Sequence, residues 1–420
     1  MYQKTTLDNG LRIITATMPH TQAVSLSFFI GVGSRYETEA QAGVSHFIEH
    51  LLFKGTPKRP TAKEISEAIE GVGGILNGGT DKELTVYWCK VAQSHLPIAL
   101  DVLADMLLHS KFDPQDIERE RQVIIEEINM SKDSPSQQVH ILIDELLWLN
   151  HPLGCDIAGS KESVAGITRD MMLDYLADQY LPNNTVVAIA GNIQHQEAIT
   201  AINQALGDWA NQRTHSGYTA YKEQTVQQLR LESRDTEQVH LCLALPGLSL
   251  LHPKRFTLDL LNVILGEGMS SRLFTEIRDR LGLAYSIHSY VDHFFDSGSV
   301  TIYAGVEPKN LKAVIEAILE QLYQLTEIVP EPELSKAKEL SKGRLLLRME
   351  DSRNVAGWMG GQEILTGRIL SIDQVESIID AITAEELKQL AQELIVSDRL
   401  RLAVVGPVSA EESLEGLLKL

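Results

Sequence analysis

Apolar and polar positions alternate along the chain in two rhythms. Runs such as "AVSLSFFIGVGS", residues 23–34, and "VTIYAGV", residues 300–306, are short, β-branched and aromatic, and predict strands. Longer stretches repeat their apolar residues every three or four positions and predict amphipathic helices. The two kinds of element interleave. This predicts an α+β fold in which a sheet carries helices packed on one face.

The pattern also repeats. Residues 83–107, "ELTVYWCKVAQSHLPIALDVLADML", read as a β-rich run, a short polar turn and an amphipathic helix. Residues 298–322, 215 positions further on, read the same way. At that offset Leu96 meets Leu311, Leu103 meets Ile318 and Leu107 meets Leu322. Residues 167–193 and 382–408 match at the same offset; Ile-Thr opens both, and Gly191 falls on Gly406. Similar but unrelated helix–strand units are the alternative. The shared offset favours a duplication: a first domain over 1–210, a polar linker over 211–228, "NQRTHSGYTAYKEQTVQQ", and a homologous second domain over 229–420.

One predicted helix, within "HFIEHLLFKGT" (residues 46–56), has chemistry on one side. It spans Ser45 to Phe53 and ends at Gly55 and Pro57. Val44, Phe47, Ile48 and Leu51 form its apolar stripe, and His46, Glu49 and His50 lie opposite. Histidines four apart are one turn from each other and can reach one ion. Glu49 beside them is placed to take a proton from an activated water. A solvated polar face with incidental histidines reads the same, so a third ligand is needed.

A second helix is predicted in "FDPQDIERERQVIIEEINM", residues 112–130, opening at Asp113-Pro114. Ile117, Ile124 and Ile128 form its stripe. Glu120 and Glu127 project to one edge of that stripe, while Glu126 points away from it. Glu127 is therefore the better ligand candidate, with Glu120 available to orient a ligand histidine. An ordinary charged helix is the alternative.

Composition narrows the class. Lys and Arg number 37 against 57 Asp and Glu, a formal net charge of -20 that argues against nucleic acid as a partner. The three cysteines, Cys89, Cys155 and Cys242, are widely spaced and suggest neither a disulfide framework nor a thiolate metal site. No apolar run is long enough for a membrane span, and the start reads as neither signal nor transit peptide, so the expected compartment is the cytoplasm, away from any membrane.

The motif with its spaced glutamate resembles the pitrilysin/insulinase-type (M16) metallopeptidases, specifically the bacterial members of about this length related to the mitochondrial processing peptidase. Residues 51–126 separate His50 from Glu127, the family's spacing, and Glu120 matches its additional glutamate. "GVGSRYE", residues 31–37, looks like part of the family's first block. "EIRDRLGLAYS", residues 276–286, is similar to the block whose arginine and tyrosine reach the active site from the other half of the clam-shell; the match falls on Arg278 and Tyr285. At the duplication offset His46, Glu49 and His50 meet Leu261, Ile264 and Leu265, so no second metal site is expected. "NGGTDKE", residues 77–83, departs from the family's substrate-strand pattern, with Gly78 and Gly79 between Asn77 and Thr80.

The resemblance implies one Zn²⁺ per chain on His46, His50 and Glu127. It implies Glu49 as the base, Glu120, Arg278 and Tyr285 in support, and Asn77, Gly78, Gly79 and Thr80 along the substrate strand. It further implies two α+β halves forming half of a clam-shell, a homodimer enclosing a chamber, and peptide substrates. A leader-processing peptidase and a non-catalytic scaffold of the same fold are the alternatives.

Overall fold

The computed structural model describes residues 2–210, 217–223, 228–408 and 414–420. Residues 211–216 and 224–227 of the expected linker lie outside the described residues. The chain forms two units. One comprises residues 1–128, 156–219 and 346–371; the other comprises 129–155, 220–345 and 372–420.

Among the described residues the first unit has six strands: β1 (Tyr2–Thr6), β2 (Arg12–Thr17), β3 (Ala23–Ile30), β4 (Ile75–Thr80), β5 (Thr85–Ala92) and β6 (Thr185–Gly191), in the order β1-β2-β6-β3-β5-β4. The second has five among the described residues: β7 (Leu229–Ser233), β8 (Val239–Pro246), β9 (Ala284–His293), β10 (Gly298–Val306) and β11 (Arg401–Gly406), in the order β7-β11-β8-β10-β9. Apart from β1, the two sheets have the same order and the same senses. The β2–β6 and β7–β11 pairs are parallel, and every other shared pair is antiparallel.

The helices that cover these sheets and carry the site include α1 (Val44–Leu52), α2 (Leu96–His109), α3 (Pro114–Asp133), α4 (Pro135–Leu147), α5 (Arg255–Gly266), α6 (Leu311–Glu327), α7 (Glu331–Arg348) and α8 (Ser352–Thr366). In the first unit the stripes of α1, α2 and α3 pack on one sheet face. Phe47, Ile48, Leu103, Ile124 and Ile128 are buried there with Leu26 and Phe28 of β3.

The α+β class holds, and each sheet also has a helix on its opposite face. Ala356 and Met359 of α8 pack on Phe29, Val186 and Ala188. In the second unit Val139, Leu142 and Leu146 of α4 pack with Cys242, Ala244 and Val405. The strands require this cover. All of β6 and all but the first residue of β3 are buried, so neither sheet face can be left to water. Each unit thus takes one helix from the other half of the chain. No helix among the described residues is long and apolar enough to cross a membrane.

Candidate metal centre

The centre rests on the start of α1. Gly43 has φ 93°, and a Cβ there would lie 2.5 Å from the Ala158 carbonyl oxygen, so glycine is required. The Gly43 and Ser45 N–H groups donate to the Glu37 carboxylate at 2.7 and 2.8 Å, satisfying donors that a helix start leaves open. Burial is the main influence on Glu37 and outweighs these hydrogen bonds, pushing its pKa up to about 7. Val44, Phe47, Ile48, Leu51 and Leu52 are buried, which leaves His46, Glu49 and His50 on the half-buried side.

Across from them, α3 buries Ile117, Ile124 and Ile128 and leaves Glu126 exposed. Its start carries the Asp113 cap, which accepts the Gln115 N–H at 2.8 Å. Glu127 is brought to both histidines. The two Nε2 atoms are 3.2 Å apart, and Glu127 Oε2 is 3.8 Å from His46 Nε2 and 3.7 Å from His50 Nε2. Among the described residues, these three form the one His/Cys/Asp/Glu group compact enough to hold an ion. A tetrahedral zinc ion with bonds of about 2.0–2.1 Å has its donors roughly 3.3 Å apart. The donor set therefore fits zinc. Glu127 is the exposed member, its side chain 43% accessible, which leaves the site an approach from solvent.

The two histidines are supported unequally. His50 Nδ1 lies 3.1 Å from Glu120 Oε2, and Lys54 Nζ donates to Glu120 Oε1 at 2.7 Å. This relay leaves His50 Nε2 directed at the centre. Burial lowers the His50 pKa, but Glu120, then Glu127 and Glu49, outweigh it and the net shift is upward. His46 Nδ1 is buried with no partner among the described residues, and burial, then His50, lowers its pKa to about 4. His46 is thus neutral and ready to coordinate. For Glu120 burial raises the pKa, but the bonds to His50 and Lys54 bring it below the ordinary value.

Glu49 stands beside the two histidines and outside the candidate ligand set. The Thr80 hydroxyl donates to Glu49 Oε2 at 2.6 Å. Burial raises its pKa, with Thr80 and His50 opposing. A carboxylate shifted upward beside a metal site is suited to accept a proton.

Thr80 ends β4, the edge strand, which among the described residues pairs with β5 alone and leaves its other edge open. Asn77, Gly78 and Gly79 precede it on that strand, and Asn77 Oδ1 accepts the Gly78 N–H at 2.8 Å. The two glycines differ. A Cβ at Gly78 would meet the Phe53 ring at 3.1 Å and Glu49 Cγ at 3.3 Å, whereas one at Gly79 would meet only Val86 at 4.0 Å.

Arg278 and Tyr285 belong to the second unit, where they adjoin each other. The Arg278 guanidinium lies 5.1 Å from the centre of the Tyr285 ring, on a π-helical segment, Phe274–Arg280, just before β9. Tyr285 is 77% exposed.

Sequence reading missed Lys54, Glu37 and Phe53. Lys54 carried a signal, since it follows His50 by one helical turn and faces the same edge. Glu37 stood at the end of the block "GVGSRYE" with nothing to show its role, because its bonds depend on a loop closing back on the helix start.

Paired α+β units with a His-His-Glu centre in the first define the class. The Insulinase (Peptidase family M16) model matches residues 12–161, and the Peptidase M16 inactive domain model matches residues 166–341. A Bacillus subtilis protein named uncharacterized zinc protease YmxG is 37% identical over 408 residues, covering 97% of this chain and 98% of that protein. A Streptomyces coelicolor protein, also named an uncharacterized zinc protease, is 35% identical over 418 residues, covering 98% of this chain and 91% of that one. Two solved structures share the fold with a TM-score of 0.91. One is a protease from Helicobacter pylori, 23% identical, covering 97% of this chain and 99% of its own. The other is a peptidase M16 inactive domain from Pseudomonas fluorescens, 18% identical, covering 98% of this chain and 99% of its own. The chain belongs to peptidase family M16.

Proposed function

We propose that the protein is a zinc-dependent endopeptidase that hydrolyses peptides or unfolded segments. The convergence of His46, His50 and Glu127 with Glu49 beside them carries this reading. His46, His50 and Glu127 would hold the ion. Zinc bound there supplies a Lewis acid, which polarises a carbonyl and makes water more acidic.

The chain's own residues do the rest. Thr80 holds one oxygen of Glu49 and leaves the other for the attacking water. Glu49 accepts the water's proton as the oxygen adds to the scissile carbonyl carbon. It then returns that proton to the departing amine as the C–N bond breaks. Glu120, itself held by Lys54, keeps His50 oriented throughout. The open edge of β4 is suited to an extended peptide, which would pair with it as an added strand. For Arg278 and Tyr285 we carry over the family roles, substrate docking and hydrogen bonding to the developing oxyanion. We further propose that the enzyme works in the cytoplasm as a homodimer whose closed chamber admits peptides.

The test is digestion of a mixed peptide library with mass-spectrometric readout, using untreated, chelated and zinc-restored protein. Cleavage that disappears on chelation and returns with zinc is the expected result. Cleavage indifferent to chelation refutes the zinc reading. Absence of cleavage by zinc-loaded protein favours a scaffold or a dedicated leader peptidase.

A further inference from the structure

The second unit contains an open cavity of about 540 Å³ lined by the end of α5, the following loop, the Phe274–Arg280 segment and the facing sides of α6 and α7, with Glu327 and Lys336 exposed at its rim. Sites for small ligands have volumes of this order. Gln321 determines what the cavity can take. It lines the wall and is only 6% exposed, yet among the described residues nothing hydrogen-bonds its side-chain amide. Its amide atoms are not sealed from solvent, so the amide faces the cavity and is free to bind. Its N–H groups and carbonyl match those of a peptide bond.

The charged lining divides into engaged and available groups. Arg272 is engaged by Glu333 at 2.8 Å and by the Ile328 carbonyl at 3.0 Å. Glu276 is engaged by Arg280. Lys336 donates to the Ser270 carbonyl at 2.6 Å, but among the described residues no carboxylate pairs with it. Glu327 lines the same cavity with no cation paired to it among the described residues. Among the described residues the cavity therefore offers one cation without a carboxylate partner, one anion without a cation and the Gln321 amide, with Ile328 adding an apolar surface; the second amide of the lining, Gln324, already donates to Glu320 at 2.7 Å.

We propose that this cavity binds a di- or tripeptide with free termini, its carboxylate on Lys336, its ammonium on Glu327 and its amide on Gln321. The inference rests on the peptidase reading for the source of the ligand, because hydrolysis of peptides yields short peptides with free termini. Glu276 lines the cavity and sits on the π-helical segment that carries Arg278, so an occupied cavity touches an element of the proposed substrate machinery. π-Helical turns often mark functional positions.

The test is calorimetric titration of zinc-free His50→Ala protein, and of chelated wild type, with glycyl-leucine and with the same dipeptide acetylated and amidated. Saturable binding of the uncapped peptide is expected, with the capped form at least about tenfold weaker, because both charge-assisted contacts are lost. Lys336→Met, Glu327→Gln and Gln321→Leu should each weaken uncapped binding by about tenfold. Equal affinity for the two peptides overturns the proposal. So does wild-type affinity in all three variants, or no binding below about 10 mM. Binding that persists in a protein found to cleave nothing upholds this site while the peptidase reading falls.

Discussion

At the duplication offset α1 lies on α5 and α3 on α7, and the paired helices carry opposite chemistry. On α1 the face opposite the core presents His46, Glu49 and His50; on α5 the matching Leu261, Ile264 and Leu265 are all buried. On α3 the residue grouped with the two histidines is Glu127. On α7 its counterpart is Lys342, held at 2.8 Å by both Asp380 and Glu339. The shared sheet order in the two units shows that the architecture does not need the polar group. Apolar residues at those positions make a sound core, whereas buried histidines and carboxylates cost free energy unless something compensates them. The first unit retains a cost the second has removed, and metal binding is the compensation that fits.

Reciprocal substitutions probe this contrast most severely. Leu265→Glu puts an unpaired carboxylate into the second unit's core and should cost about 3–5 kcal/mol, read from the denaturation midpoint. His46→Leu in chelated protein should leave stability equal or higher, since it removes a buried nitrogen that lacks a partner. Comparable losses in both would mean that the polar face is structural.

A pH effect of similar size belongs to the first unit alone, through Glu37. Its pKa rises from the ordinary 4.5 to about 7 in the fold, so the folded chain holds the proton more tightly. The associated stability is fully present below pH 4.5 and is lost as pH rises through 7, about 3 kcal/mol in all. Glu37→Gln should remove that slope, measured as denaturation midpoints at the two ends of the window. An unchanged slope would assign it to other groups.

Smaller effects sharpen the picture of the centre. Glu120→Gln should weaken zinc binding about 10- to 100-fold in chelator competition, because His50 loses its ionised partner. Gly78→Ala should lower turnover by about tenfold, as the new Cβ displaces Glu49, without changing zinc content. Gly79→Ala should leave turnover intact and stabilise the strand slightly.

Much of the centre was readable from spacing alone, because α1 and α3 are regular helices. Four residues fix one turn, so His46 and His50 had to share a face. The position of Glu127 against the isoleucine stripe put it at the edge facing a neighbour. The open-edged β4 followed from the family resemblance of "NGGTDKE". The exchange of α4 and α8 was not readable. An apolar stripe on a helix states that something covers it and is silent about which sheet does so. The Thr80 bond to Glu49 and the Glu37 bonds to the start of α1 were hidden for the same reason: each joins segments whose meeting depends on the whole sheet. The different surroundings of Gly78 and Gly79 also escaped, since adjacent glycines look alike until their two strand faces have neighbours.

In the proposed mechanism, one zinc centre in the first unit works through Glu49. Zinc content and peptide turnover of Glu49→Gln, measured on one preparation beside wild type, test it most directly. One zinc per chain in both proteins is expected, with a loss of turnover of about a thousandfold or more in the variant. Turnover within about tenfold of wild type, with zinc in place, would contradict it.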